Sequence, residues 1–242
     1  MNVYIIVEGD RTELKVYPAW LAILAPHLKR VGHPGDLTDN NYYLFSGHGI
    51  PSIYNHICNA IEDINAINEV GKATVDYLIV CMDTEEGSRN DIVEEIERNL
   101  NERKISLLPT CRLEIFEHKV SMESWFLGNG KLLGQNIQSP TLRSYRDFYD
   151  IKRSNPEEMG NIDSEQFTTT AQFHHSYLKE LFKENHMKYT KANPGDVCER
   201  YYLAQLIERY NNSGHITTFG RWYDFVIQHF SLKQCKINNS LS

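Results

Sequence analysis

Two apolar runs, Val3-Tyr-Ile-Ile-Val7 and Tyr77-Leu-Ile-Val-Cys-Met82, are each too short for a helix and too continuous for a half-exposed strand, and each runs directly into a group of acids. Strands that are apolar throughout are buried on both faces, which is the situation in a parallel sheet covered by helices. The intervening sequence supports that arrangement. From Thr12 to about Val31 the apolar residues Leu14, Tyr17, Trp20, Leu21, Leu24 and Leu28 recur at helical spacing. A strand is expected at Tyr42–Phe45, then a turn at Ser46-Gly-His-Gly-Ile-Pro51 and an amphipathic helix to about Ile67. Val75–Met82 is the third strand, Asp91–Leu100 the third helix, and Arg112–Phe116 a fourth strand. Strand and helix in alternation specify a doubly wound α/β fold with a mostly parallel central sheet.

The rest of the chain divides by composition. Residues 1–127 read as the α/β core, and residues 128–161, rich in Gly, Asn, Gln, Ser, Pro and charge, as a loop or insertion. Residues 162–242 read as a helical C-terminal extension, with helices expected at Phe167–Glu184, Val197–Tyr210 and Phe219–Phe230. At 242 residues such a chain buries ~70% of its unfolded surface and needs no staples. The five cysteines, Cys58, Cys81, Cys111, Cys198 and Cys235, contain no CxxC pair and are expected to be reduced thiols, neither a disulfide framework nor a zinc site. No apolar stretch approaches membrane-spanning length and no leader pattern is visible, so the expected location is the cytoplasm, away from membranes. The net charge of −7 gives no global attraction for phosphates, so any nucleic-acid contact depends on local chemistry.

In an open parallel sheet the carboxyl ends of the strands share one edge. Glu8 from the first strand and Asp83 with Glu85 from the third can therefore meet, and carboxylates gathered in this way suit a hard divalent cation. In extended geometry Asp83 and Glu85, at i and i+2, face the same side. Asp83, Glu85 and Glu86 are also readable as an acidic first helical turn. Glu13 with Thr12 reads as a carboxylate supporting the site from behind or as a helix start. Ser46–Gly49 lacks the lysine of a phosphate-binding loop and reads as a plain turn. His118 and Lys119 are readable as substrate contacts or as rim residues. His174 and His175 have no spaced partner ligands and do not suggest a metal site. Trp125 and Trp222 read as core.

These blocks together resemble a known family. Glu8-Gly9 after the first strand and Asp83-Thr-Glu85 after the third look like the paired acidic motifs of the Toprim domain of topoisomerases, primases and OLD-family nucleases. Glu8-Gly-Asp-Arg-Thr-Glu13 is similar to the EGxxTE opening of RloB-like Toprim proteins of bacterial defence and mobile-element systems. Met122-Glu-Ser-Trp-Phe-Leu127 resembles their FExWLL-type block, and Lys188-Tyr-Thr-Lys191 their tyrosine-x-lysine segment. Two departures are a glutamate at position 85, where an aspartate is usual, and Met122 in place of phenylalanine. The resemblance implies a Toprim-like fold, with Glu8 as metal ligand or general base and Asp83, Glu85 and Glu123 as further ligands of Mg²⁺ or Mn²⁺. It implies Lys191 as the cation that stabilises the transition state. The implied activity is metal-dependent hydrolysis of DNA or RNA, tRNA included, as the effector of an anti-phage system under a partner ATPase, with a homodimer as a further expectation. The alternative is a non-catalytic Toprim-like regulatory or binding subunit of an ATPase complex.

Overall fold

The computed structural model describes residues 1–71 and 73–231; Cys235 and the end of the expected 162–242 extension lie outside the described residues. Five parallel strands form one sheet: β1 (Asn2–Val7), β2 (Lys29–Val31), β3 (Asn41–Ser46), β4 (Tyr77–Asp83) and β5 (Arg112–His118), in the spatial order β2-β3-β1-β4-β5. The helices are α1 (Glu13–Leu24), α2 (Ser52–Val70), α3 (Arg89–Arg103), α4 (Met122–Phe126), α5 (Pro140–Phe148), α6 (Thr170–Glu184), α7 (Arg200–Ser213) and α8 (Thr217–Phe230). The protein is thus a Rossmann-like α/β fold with C-terminal helices, as its strand and helix alternation predicts.

The pleat sends alternate residues of each strand to opposite cores. Val3, Ile5 and Val7 of β1 join Ile79, Cys81 and Phe116 in a large core under α1 and α4–α8. Tyr4 and Ile6 join Leu78, Val80 and Met82 in a smaller core under α2 and α3. Trp20, Trp125 and Trp222, all expected to be core, are 0%, 0% and 2% exposed and pack on one another in the larger core.

Two expected features are corrected. The helix read from Thr12 to Val31 ends at Leu24: Ala25 leaves helical geometry before Pro26, and Lys29–Val31 becomes the short edge strand β2 against β3. The segment 128–161 is not a loose loop. Ser139 caps α5 by accepting from Leu142 N at 3.2 Å, Pro140 opens the helix, and Leu133, Leu142, Ile151 and Met159 are at most 1% exposed. Within it the buried Glu157 receives Thr218 N at 3.0 Å and the Thr217 hydroxyl at 3.1 Å, capping α8 from a residue some sixty positions earlier. Thr218 Oγ1 in turn accepts Trp125 Nε1 at 2.6 Å, so segment, extension and core form one hydrogen-bonded unit.

Candidate active site

The strand order reverses at β1, where β3 lies on one side and β4 on the other, and a crevice opens there at the carboxyl ends of the strands. Parallel pairing sets Val7 against Cys81, so Glu8 leaves its strand one residue before Asp83 leaves the neighbouring one and the two acids lie close together. Glu8 N donates to Cys81 O at 3.0 Å, and Asp83 N donates to Glu8 Oε2 at 3.0 Å. A cavity of about 390 Å³ opens over them and brings together all five residues expected at the site: Glu8, Asp83, Glu85, Glu123 and Lys191. Its wall also includes Thr12, Glu13 and His48.

The turn between β1 and α1 accounts for the pattern Glu8-Gly-x-x-Thr-Glu13. Glu13 opens α1, is 7% exposed, and accepts Gly9 N through Oε1 at 3.0 Å. A side chain at position 9 would run into that carboxylate, so a larger residue would have to push Glu13 aside and disturb this bond. Of the two readings of Glu13, helix start and supporting carboxylate, both describe its place: it is the first residue of α1 and holds the turn that carries Glu8. Thr12 Oγ1 donates to Lys191 O at 3.0 Å, and Lys15 Nζ donates to Ala192 O. These bonds fasten the loop before α7 to α1, which is how a lysine distant in sequence comes to line the cavity.

Asp83, the last residue of β4, is held from below. His118, at the end of β5 and 0% exposed, has Nδ1 2.7 Å from Asp83 Oδ1 and Nε2 2.7 Å from the Tyr17 hydroxyl. Burial lowers His118 to about 4, against the opposing pull of Glu13, Glu8 and Glu123, so the contact with Asp83 is a hydrogen bond of a neutral imidazole, not an ion pair. His118 is therefore neither rim residue nor substrate contact, and Lys119 points out of the fold as an exposed residue.

Glu123, in the first turn of α4 and 4% exposed, is held through Oε1 by the Tyr189 hydroxyl and by His175 Nδ1, each at 3.1 Å. Burial pushes its carboxyl up, but the His175 hydrogen bond and the Lys191 ammonium outweigh it and hold Glu123 at about 2. His174 is structural, bridging Ser124 Oγ at 2.9 Å and Met159 O at 2.7 Å.

Glu85 differs from expectation. The chain leaves extended geometry after Asp83, and Glu85 is an exposed turn residue with a left-handed φ of 49°, so the two acids do not share one face of a strand. Glu85 still lines the cavity, reaching it from the turn.

The cluster is electrostatically strained. Burial, then repulsion from Asp83, raises Glu8 to about 7. Burial, then Glu123, raises Asp83 to about 8, with Lys191 opposing. Burial and then Asp83 also raise Glu13. Carboxylates collected against their own repulsion are the donor set a hard divalent cation takes, and the hydrogen bonds that hold Glu8, Asp83 and Glu123 occupy one oxygen of each, Oε2, Oδ1 and Oε1. In chemistry the residues fit a metal; among the described residues, no three His, Cys, Asp or Glu side chains already enclose a metal-sized point.

Tyr17 and Tyr189 are site residues not singled out from sequence, while His118, read as substrate contact or rim, and His175, read as outside any metal site, turn out to hold the carboxylates in place. Tyr189 lies inside the tyrosine-x-lysine block, which was the one available signal; the other three acquire their role only through strand order and helix packing. Among the described residues no helix is long and apolar enough to cross a membrane. Comparison with family models, with curated proteins and with solved structures finds no match for this chain.

Proposed function

We propose that this cavity is the active site of a metal-dependent phosphodiester hydrolase, a nuclease of Toprim-like type. The observation that carries the reading is the convergence of Glu8, Asp83, Glu85 and Glu123 with Lys191 on one cavity at the strand-order reversal. Glu8, Asp83 and Glu123 are the residues that would hold Mg²⁺ or Mn²⁺, with Glu85 at the rim. When bound, the ion supplies Lewis-acid polarisation of the phosphate and lowers the pKa of a water.

The remaining chemistry belongs to the chain. Glu8, where it is not itself a ligand of the ion, is the carboxylate placed to accept a proton from the attacking water. Lys191 offers its ammonium to the negative charge that builds on the phosphorane and the departing oxygen. His118 fixes the orientation of Asp83, and Tyr189 with His175 fix that of Glu123, so two of the carboxylates meet substrate with little reorganisation. The net charge of −7 suits an enzyme whose access to nucleic acid is granted by a partner, and the family resemblance supports an ATPase in that role within a defence setting; a homodimer is a further expectation, and a cytoplasmic location is the reading of the sequence's lack of a long apolar stretch.

The test is cleavage of mixed tRNA, single-stranded DNA and plasmid by the purified protein with Mg²⁺ or Mn²⁺, beside Glu8→Ala and Asp83→Ala. Metal-dependent products that vanish in both variants are expected, with both variants folded. Cleavage that persists in both refutes the assignment. Silence of the wild type together with absence of metal binding would favour a non-catalytic subunit.

A further inference from the structure

A second cavity, also about 390 Å³, adjoins the first, and Asp83 lines both. Its volume lies in the ~300–1,000 Å³ range of small-molecule sites. The two differ in chemistry. The first holds Lys191 and Arg11 and can take an anion. The second has an apolar wall of Ile50, Pro51, Tyr54 and Ile92, while its charged lining residues, Asp83, Asp91 and Glu95, are all acidic. A phosphate is repelled there; an uncharged ring with hydrogen-bonding edges is not.

Ile50 is the telling residue. It is 53% exposed, a large aliphatic side chain facing water at the mouth of a cavity. It is not on a loose tip. Gly47 N donates to Val7 O at 2.8 Å, Gly49 N to Glu8 O at 3.0 Å, and Ser46 Oγ to Glu8 O at 3.3 Å, stitching the turn to the strand that carries Glu8. A side chain at Gly47 would strike the Ile53 backbone, and Gly49 has φ +77°, so both glycines are needed to bring the turn this close. The turn places His48 on the first cavity and Ile50 on the second.

We propose that the second cavity is a nucleobase subsite: the base next to the scissile phosphate rests against Ile50 and Pro51 while its phosphate lies at the carboxylate and Lys191 cluster. This rests on the phosphodiester reading above and narrows it. A base within a duplex is stacked and paired and cannot enter such a cavity without being extruded, so the substrate is an unpaired strand or a locally opened one. Ile50 is then a specificity residue, and the turn at Ser46–Pro51 is part of the substrate-binding surface.

The experiment uses a single-stranded oligonucleotide carrying one 2-aminopurine, titrated with the full chain in Ca²⁺ to prevent turnover. Wild type, Ile50→Ser and Ile50→Leu are compared, each also with the annealed duplex. A fluorescence change with the single strand and none with the duplex is expected. Ile50→Ser should weaken single-strand affinity about tenfold, the scale of losing one apolar base contact, and Ile50→Leu should restore it to within about twofold. Equal affinity in Ile50→Ser and wild type, or an equal signal from the duplex, overturns the subsite while Glu8-dependent cleavage leaves the phosphodiester reading standing. No binding and no cleavage of either form by the wild type overturns both.

Discussion

Replacing Glu8 by glutamine removes a charge that the fold holds at a disadvantage, and it should make the protein more stable while, under the proposed function, abolishing cleavage. Glu8 has its carboxyl raised to about 7 from the ordinary 4.5. A carboxyl raised on folding contributes stability that is complete below about pH 4.5 and is lost as pH rises through 7. At about 1.4 kcal/mol per pKa unit, the full loss by pH 8 is bounded at about 3 kcal/mol. Partial exposure and shared titration with Asp83 reduce this to about 1–2 kcal/mol. Glutamine keeps an oxygen to accept Asp83 N, so the hydrogen bond at 3.0 Å survives the change. For a chain of this length the expected gain in Tm is about 2–8 °C at pH 8, shrinking to about 2 °C or less at pH 5. The assay is thermal unfolding followed by circular dichroism in EDTA at the two pH values. No gain at pH 8, or a gain of the same size at pH 5, would refute the claim that burial and the neighbouring Asp83 raise Glu8. Under the proposed function, Mn²⁺ should then raise the Tm of the wild type and leave the variant nearly unmoved.

Metal binding should displace the protons that the raised carboxyls retain. With Asp83 raised to about 8 and Glu8 to about 7, protons should leave as the ion binds at pH 7 and far fewer at pH 9, read by calorimetry in buffers of different ionisation enthalpy; equal release at both pH values would contradict the assignment. Gly9→Ala should cost about 1–3 kcal/mol through collision with Glu13, and combining it with Glu13→Ala should cost less than the sum of the two, which denaturant melts of all four proteins would measure. Thr12→Val deletes the hydroxyl that holds Lys191 O; cleavage should fall about tenfold while Tm stays within about 2 °C, and unchanged kcat would remove Thr12 from the positioning of Lys191. His118→Asn should weaken metal affinity about 10–100-fold by loosening Asp83, measured by the same calorimetry.

Much of this architecture is written in local sequence. The β1 and β4 strands are apolar runs, β3 and β5 carry shorter apolar stretches at Tyr42–Phe45 and Ile115–Phe116, and the α2, α3 and α6–α8 helices carry a 3.6-residue period strong enough to locate. The missed pieces failed for physical reasons. The β2 strand is three residues, Lys29–Val31, defined by pairing with β3 and by nothing in its own composition. The α5 helix sits in a polar stretch, although Ser139 and Pro140 spell a capped start. At the site, Glu8, Asp83 and Glu123 could be picked out because acids after buried strands are conspicuous and because their blocks resemble a family. Glu85 was expected on an extended strand and lies in a left-handed turn. Tyr17 and His118, 101 positions apart, could not be paired from sequence, because their meeting depends on how α1 packs against the finished sheet.

The packing of α8 bears on how the chain is made. Trp222 of that helix meets the rings of Tyr17, Trp20 and Trp125 at centroid distances of 5.5, 5.7 and 6.2 Å, and Phe225 meets Phe116 of β5 at 5.2 Å. The sheet is complete at His118, but α8 begins only at Thr217, roughly 100 residues later. At a synthesis rate of ~5–20 residues per second, one apolar face of the finished sheet waits on the order of 5–20 s on the ribosome for the helix that seals it. During that interval the nascent chain is a target for holding chaperones, and the floor beneath the carboxylates is unsealed. Under the proposed function, cleavage is expected only once this last described helix has docked.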